Sequence, residues 1–153
     1  TNYLLEKSRV TGQAHGERCF HVMHYLLHGA SDKEKEDFCL LSPSDYVYLM
    51  EQDKNIPGVN DGQEFDNLKY SMSAVGIDET DQFHAFSLLG GVLATGNVSF
   101  NDHGDGKRAT VIRSPSVYDD DGGDALSRVS KCLGVDAEAL ESALTCVTLV
   151  VGR

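Results

Sequence analysis

"DETDQFHAFSLLGGVLATG", Asp78 to Gly96, decides how this chain folds. Asp78 supplies the side-chain oxygen that a helix start needs, and the acidic turn behind it, Glu79 and Asp81, suits the positive end of the helix dipole. Apolar residues then circle most of the helix instead of forming one stripe, which predicts a helix at the centre of the fold. Gly90 and Gly91 each cost about 1 kcal/mol relative to Ala inside a helix, so in so strong a pattern they predict a close helix crossing, not a break. The longest apolar run, "FSLLGGVLATGNVSF", is too short and too interrupted by Gly, Thr and Ser to span a bilayer. "NVS" at Asn97 matches the glycosylation pattern, which has meaning only in a secreted protein.

On the N-terminal side, "HGERCFHVMHYLLHGA" sets Phe20, Met23 and Leu27 at helical spacing, with Val22 and Leu26 widening the stripe. It predicts a helix of about four turns ending at Gly29. "SDKE" from Ser31 reads as a capping box, in which Ser31 takes a backbone N–H and Glu34 reaches back, so a short helix follows and stops before Pro43. "NDGQEFDNLKYSMSAVG" offers Asp61 as N-cap, Glu64 three residues on, and an apolar ridge of Phe65, Leu68, Met72 and Val75.

On the C-terminal side, periodicity disappears from Asn101 to Asp124, predicting a long loop with one short extended piece at Ala109 to Ile112. Helical spacing returns in "ALSRVSKCLG" and, after the cap Asp136, in "DAEALESALT". The β-branched "CVTLVVGR" predicts a strand, and "YLLEKSRV", Tyr3 to Val10, reads as the end of another. The expected class is mainly α (α+β), a block of about five helices with short terminal strands. Both ends lack strand neighbours within the chain, so it reads as one partial domain of a larger protein: a strand end over 1–10, a helical block over 15–100, a long loop over 101–124, helices over 125–146 and an extended segment over 147–153.

The chain has 153 residues, 41% hydrophobic and 24% charged, which fits one domain with a real core and excludes wholesale disorder. A formal charge of −11 argues against non-specific binding to nucleic acid or anionic membranes, so any anionic partner must meet a local basic patch. Cys19, Cys39, Cys132 and Cys146 show no CxxC pairing, so neither a zinc ribbon nor a redox motif is written, and reduced intracellular thiols are expected. His21, His24 and His28, at i, i+3 and i+7, lie on one side of a helix, but no fourth ligand or supporting carboxylate is placed with them; they read as packed or surface residues. "NDHGDG" has Ile112 where a calcium loop needs its bidentate glutamate, and "DDDGGD" misplaces its glycine, so both read as solvated loop. The sequence contains no GxxxxGK[ST], GxSxG or HExxH run, and no catalysis of its own is expected.

Taken together and in order, "YLLEKSRV…GERCFHVMHYLLHGA", "GVNDGQEFDNLKYSMSAVGI", "FSLLGGVLATGNVSF" and "CLGVDAEALESALT" resemble the myosin motor head along essentially the whole chain. Cys19 stands where that family usually has Asn, His24 and Tyr25 replace a common Tyr-Gln, and "LATGNV" replaces "LHLGNV". The resemblance implies a fragment of the upper 50 kDa subdomain of a P-loop NTPase-type motor, running from the last strand of the central sheet to the start of the actin-facing cardiomyopathy loop. It implies an actin-activated ATPase for the parent chain, with Mg-ATP as the parent's cofactor and none held by this stretch. P-loop and switch I would lie before Thr1, and switch II after Arg153. The implied partners are the actin filament and the rest of the head, with no nucleic acid and no membrane insertion, in the cytoplasmic cytoskeleton.

By the same resemblance Tyr3 and Leu4 match positions near the apex of the cleft, and Glu6, Lys7 and Arg9 supply charges linking sheet to helical block. Glu6 and Arg9 are expected to make partly buried pairs, because charges abutting "YLL" must be paired to be tolerated. Lys107 and Arg108 match a second actin-facing loop, while Thr148, Val150 and Arg153 match the cardiomyopathy loop, Thr148 at a position that is basic in many relatives. An independent intracellular helical adaptor without ATPase activity is the alternative; a GESGAGKT-like loop upstream and DIxGFE downstream would separate the two.

Overall fold

The structure, a computed structural model, describes residues 6–14, 16–49, 56–102, 109–112 and 123–146. The described residues form seven α-helices, one 3-10 turn at Pro43–Asp45 and one two-stranded hairpin. Helix α1 (Ser8–Thr11) is a single turn. Part of the segment expected to end a strand is thus helical: Arg9 N–H donates to Glu6 O and Val10 N–H to Lys7 O, and the Glu6 and Arg9 side chains pair at i, i+3 across the same turn. The other end, 147–153, lies outside the described residues.

Helix α2 (His21–Gly29) is shorter than the four turns expected. Residues 16–20 stay non-helical because tertiary contacts claim them: Cys19 is buried in the core, the Arg18 side chain is held by an acidic partner far along the chain, and Phe20 is extended at the N-cap. Helix α3 (Asp32–Asp37) starts from the expected capping box, with Ser31 Oγ accepting from Glu34 N–H at 3.3 Å and Ser31 N–H donating to Glu34 Oε2 at 2.8 Å. In α4 (Asp61–Ala74) the cap is Asn60, not Asp61: Asn60 Oδ1 accepts from Gln63 N–H at 3.1 Å, which frees Asp61 for another partner.

Helix α5 (Glu79–Thr95) opens on Asp78, whose Oδ1 accepts from Asp81 N–H at 2.9 Å. The crossing expected at Gly90 and Gly91 is present. A Cβ on Gly90 would lie 2.6 Å from Phe38 O, and one on Gly91 would lie 3.0 Å from Leu133 Cδ2. Gly29 plays the same part where α2 meets α4, since a Cβ there would overlap that of Phe65. The supposed sequon residue Asn97 is structural: its Oδ1 accepts from Val47 N–H and its Nδ2 donates to Asp45 O, pinning the end of α5 to the 3-10 turn.

Strands β1 (Phe100–Asp102) and β2 (Ala109–Val111) pair antiparallel, Phe100 opposite Val111 and Asp102 opposite Ala109. The expected long loop therefore carries a hairpin, of which only the second strand was predicted. Helices α6 (Ala125–Leu133) and α7 (Ala137–Thr145) follow, capped by Asp124 and by the expected Asp136.

The core is two clusters that share their helices. Cys19, Met23, Leu27, Tyr46, Leu49 and Leu93 form one; Leu26, Ala30, Phe38, Phe65 and Phe86 form the other. Both α2 and α5 feed each cluster, so α5 shares the centre with α2. Its apolar circumference is not fully covered: Phe83, Leu88 and Val92 remain exposed.

Candidate functional site

The charges singled out before α2 lie around α1. Arg9 Nε donates to Glu6 Oε2 at 2.9 Å, and Arg9 Nη1 donates to Glu17 Oε2 at 2.7 Å and to Arg18 O at 3.4 Å. Arg9 thus gathers two carboxylates and ties α1 to the segment entering α2. The Arg9 side chain is 29% exposed and those of Glu6 and Glu17 are 58% and 48% exposed, so the pairs join a half-buried guanidinium to solvent-facing carboxylates. Lys7 is exposed at the N-cap of α1. Tyr3, Leu4, Lys107, Arg108, Thr148, Val150 and Arg153 lie outside the described residues.

The buried pair lies next door. Arg18 grips Asp61 with both arms, Nη2 donating to Oδ2 at 2.6 Å and Nη1 to Oδ1 at 3.2 Å, and the two side chains are 5% and 7% exposed. This fork fixes the non-helical entry to α2 against the first residue of α4, 43 residues away in sequence. His28 Nδ1 sits 3.9 Å from Asp61 Oδ2 and 2.9 Å from His24 O. A carbonyl only accepts, so that nitrogen carries a proton. Burial pushes the Asp61 carboxyl up, but the hydrogen bonds and charge of Arg18, with smaller help from His28 and His24, hold it below the ordinary carboxylate range. Sequence reasoning missed this pair by giving Asp61 the capping role. Asn60, an equally good cap one residue earlier, was the signal that could have released it.

A second ionic link joins α3 to α4. Lys69 Nζ donates to Glu34 Oε1 at 3.2 Å and lies 4.5 Å from the Phe65 ring centroid. Of the helix histidines, His24 is buried, His21 packs its ring against Tyr25, and His28 turns to Asp61. Among the described residues no three His, Cys, Asp or Glu side chains come together as a metal site.

Helices locked by caps, a buried fork and glycine-tight crossings define a rigid scaffold, with a charged network where the chain enters it. A family model for the myosin head (motor domain) matches residues 1–153, and the chain belongs to that family. It is 40% identical over 157 residues to the myosin IA heavy chain of Dictyostelium discoideum, covering 100% of this chain and 15% of that protein. The myosin heavy chain IB of Acanthamoeba castellanii is 41% identical over 116 residues, covering 75% of this chain and 10% of that protein. Myosin-1 of Emericella nidulans is 37% identical over 146 residues, covering 95% and 11%. The chain therefore spans only 10% to 15% of the length of these relatives.

Proposed function

We propose that this chain is the upper 50 kDa helical scaffold of an actin-based, ATP-driven motor head. The observation that carries the reading is the family match along all of residues 1–153. The same match disfavours an independent adaptor. In this reading Mg-ATP is gripped by loops contributed from outside these residues, because the 153-residue sequence holds no GxxxxGK[ST] run. Phosphoryl transfer rests on positioning phosphate, metal and water, which is the work of those loops.

The scaffold's task is mechanical. Packed interfaces switch between discrete arrangements, so a block that moves as one body turns a small change at the nucleotide into a larger displacement at actin. The fork between Arg18 and Asp61 and the crossings at Gly29, Gly90 and Gly91 support that rigidity. Tyr3 and Leu4 line the cleft apex, and Glu6, Lys7 and Arg9 transmit the motion into the block. Lys107, Arg108, Thr148, Val150 and Arg153 meet the filament, in the cytoplasmic cytoskeleton.

Charge reversal at Arg9 tests the coupling. In the complete motor, Arg9→Glu sets three carboxylates together where one cation now holds two, and actin-activated ATPase should fall several-fold. An actin-activated rate equal to that of the unmodified motor overturns the coupling role.

A further inference from the structure

The turn that closes α3 holds the only non-glycine residue with a left-handed backbone among the described residues, Cys39 at φ 53°. Leu40 N–H donates to Lys35 O at 2.8 Å and Cys39 N–H to Glu36 O at 3.2 Å, the double closure that normally places glycine at this position. This turn lies against α6. Cys132 Sγ donates to Phe38 O at 3.2 Å, which sets the Cys132 thiol one residue from Cys39. Ser87 Oγ, on α5, holds Cys132 O at 3.0 Å, and the bare Gly90 lets the Phe38 carbonyl press against α5. Cys39 is half-buried, Cys132 is buried, and both are free thiols.

We propose that Cys39 and Cys132 are a peroxide-sensitive pair that closes to a disulfide, stapling the turn after α3 to α6. The Cys39 thiolate attacks a peroxide oxygen, the O–O bond breaks, hydroxide leaves, and Cys39 becomes a sulfenic acid. Cys132 then attacks that sulfur: the S–S bond forms, the S–O bond breaks, and the Cys132 proton leaves with the departing oxygen as water. Two electrons pass from the two thiols to the peroxide.

The surroundings divide the roles. The adjoining Cys132 thiol lowers the Cys39 thiol to about 6 against the opposing effect of burial, and the positive charges of Lys131 and Arg128 on α6 add to it. The neighbouring Cys39 thiol, burial and the Cys39 charge raise Cys132, which makes it the resolving partner. Tyr46, the other titratable group facing them, is pushed up to about 12 by burial and stays neutral.

The test is peptide mapping of the full-length protein carrying Cys146→Ser, because Cys132 and Cys146 fall in one tryptic peptide. After hydrogen peroxide and blocking of free thiols, digestion without reductant should yield a peptide pair joined through Cys39 and Cys132. With Cys132→Ser the link should vanish, and dimedone should trap Cys39 as the sulfenic acid. In the unmodified protein, iodoacetamide labelling of Cys39 should rise with pH around pH 6 and outpace that of exposed Cys146 at pH 7. Absence of the linked pair at a peroxide dose that oxidises Cys146 in the unmodified protein overturns the proposal. So does labelling of Cys39 no faster than of Cys146.

Discussion

Arg18 and Asp61 are buried together, and two parallel hydrogen bonds join the guanidinium to the carboxylate. Breaking such a pair from one side strands the remaining charge. Asp61→Asn should therefore cost about 3–5 kcal/mol at neutral pH, read as a lowered unfolding midpoint, whereas replacing both residues by apolar ones of similar volume should cost far less. The sign of the pH dependence follows from the depressed carboxyl. Its folded value lies below the unfolded one of about 3.9, so its contribution is complete above that pH and is lost as pH falls through the folded value. Unfolding midpoints measured from pH 5 downward should fall for the native protein through this component, and Asp61→Asn should lack it. The capping side chains of Ser31, Asp78 and Asp136 were legible in the sequence because a cap bonds a backbone N–H only three residues away. The true partner of Asp61 was not, since nothing local distinguishes an aspartate that caps from one that reaches 43 residues back.

Among the elements, α5 shows most clearly what a glycine in a helix is for. Gly90 faces a backbone carbonyl, Phe38 O, which a fixed turn holds in place; Gly91 faces the branched end of Leu133 and the Cys132 side chain, which can give. Alanine gains about 1 kcal/mol of intrinsic helix preference at either position. At Gly90 the clash outweighs that gain, and Gly90→Ala should destabilise by roughly 1–3 kcal/mol, as overpacking does. At Gly91 gain and clash should nearly cancel. Denaturant midpoints for the two variants check this, and the reverse order would show that the crossing is set elsewhere. That a crossing occurs here was readable, because two costly glycines inside a strong helix need a reason; which elements cross was not. The start of α2 and the first strand of the hairpin were missed for a related reason. Cys19 and Arg18 are held out of the helix by tertiary contacts, and Phe100–Asp102 is a strand only because Ala109–Val111 pairs with it.

At the scale of the whole molecule, the distribution of charge sets the terms on which the proposed filament contact can form. The sequence carries a net −11, and actin presents an acidic surface to the motor in the proposed reading, so general attraction is unavailable and contact must rest on local cations. Lys107 and Arg108 are adjacent cations in such a segment, while Asp119, Asp120 and Asp121 would repel the filament if they faced it. Two cations at a solvated contact together contribute in general about 0.5–2 kcal/mol where salt is low, and much less once the screening length shrinks to a few ångströms. In the complete motor, Lys107→Ala with Arg108→Ala should therefore weaken cosedimentation with actin at low ionic strength, and the difference from the unmodified motor should close as salt is raised. Neutralising Asp119 to Asp121 should leave binding little changed if those residues face solvent. A double variant that cosediments like the unmodified motor at both low and high salt removes these two residues from the filament surface and leaves the contact to Thr148, Val150 and Arg153.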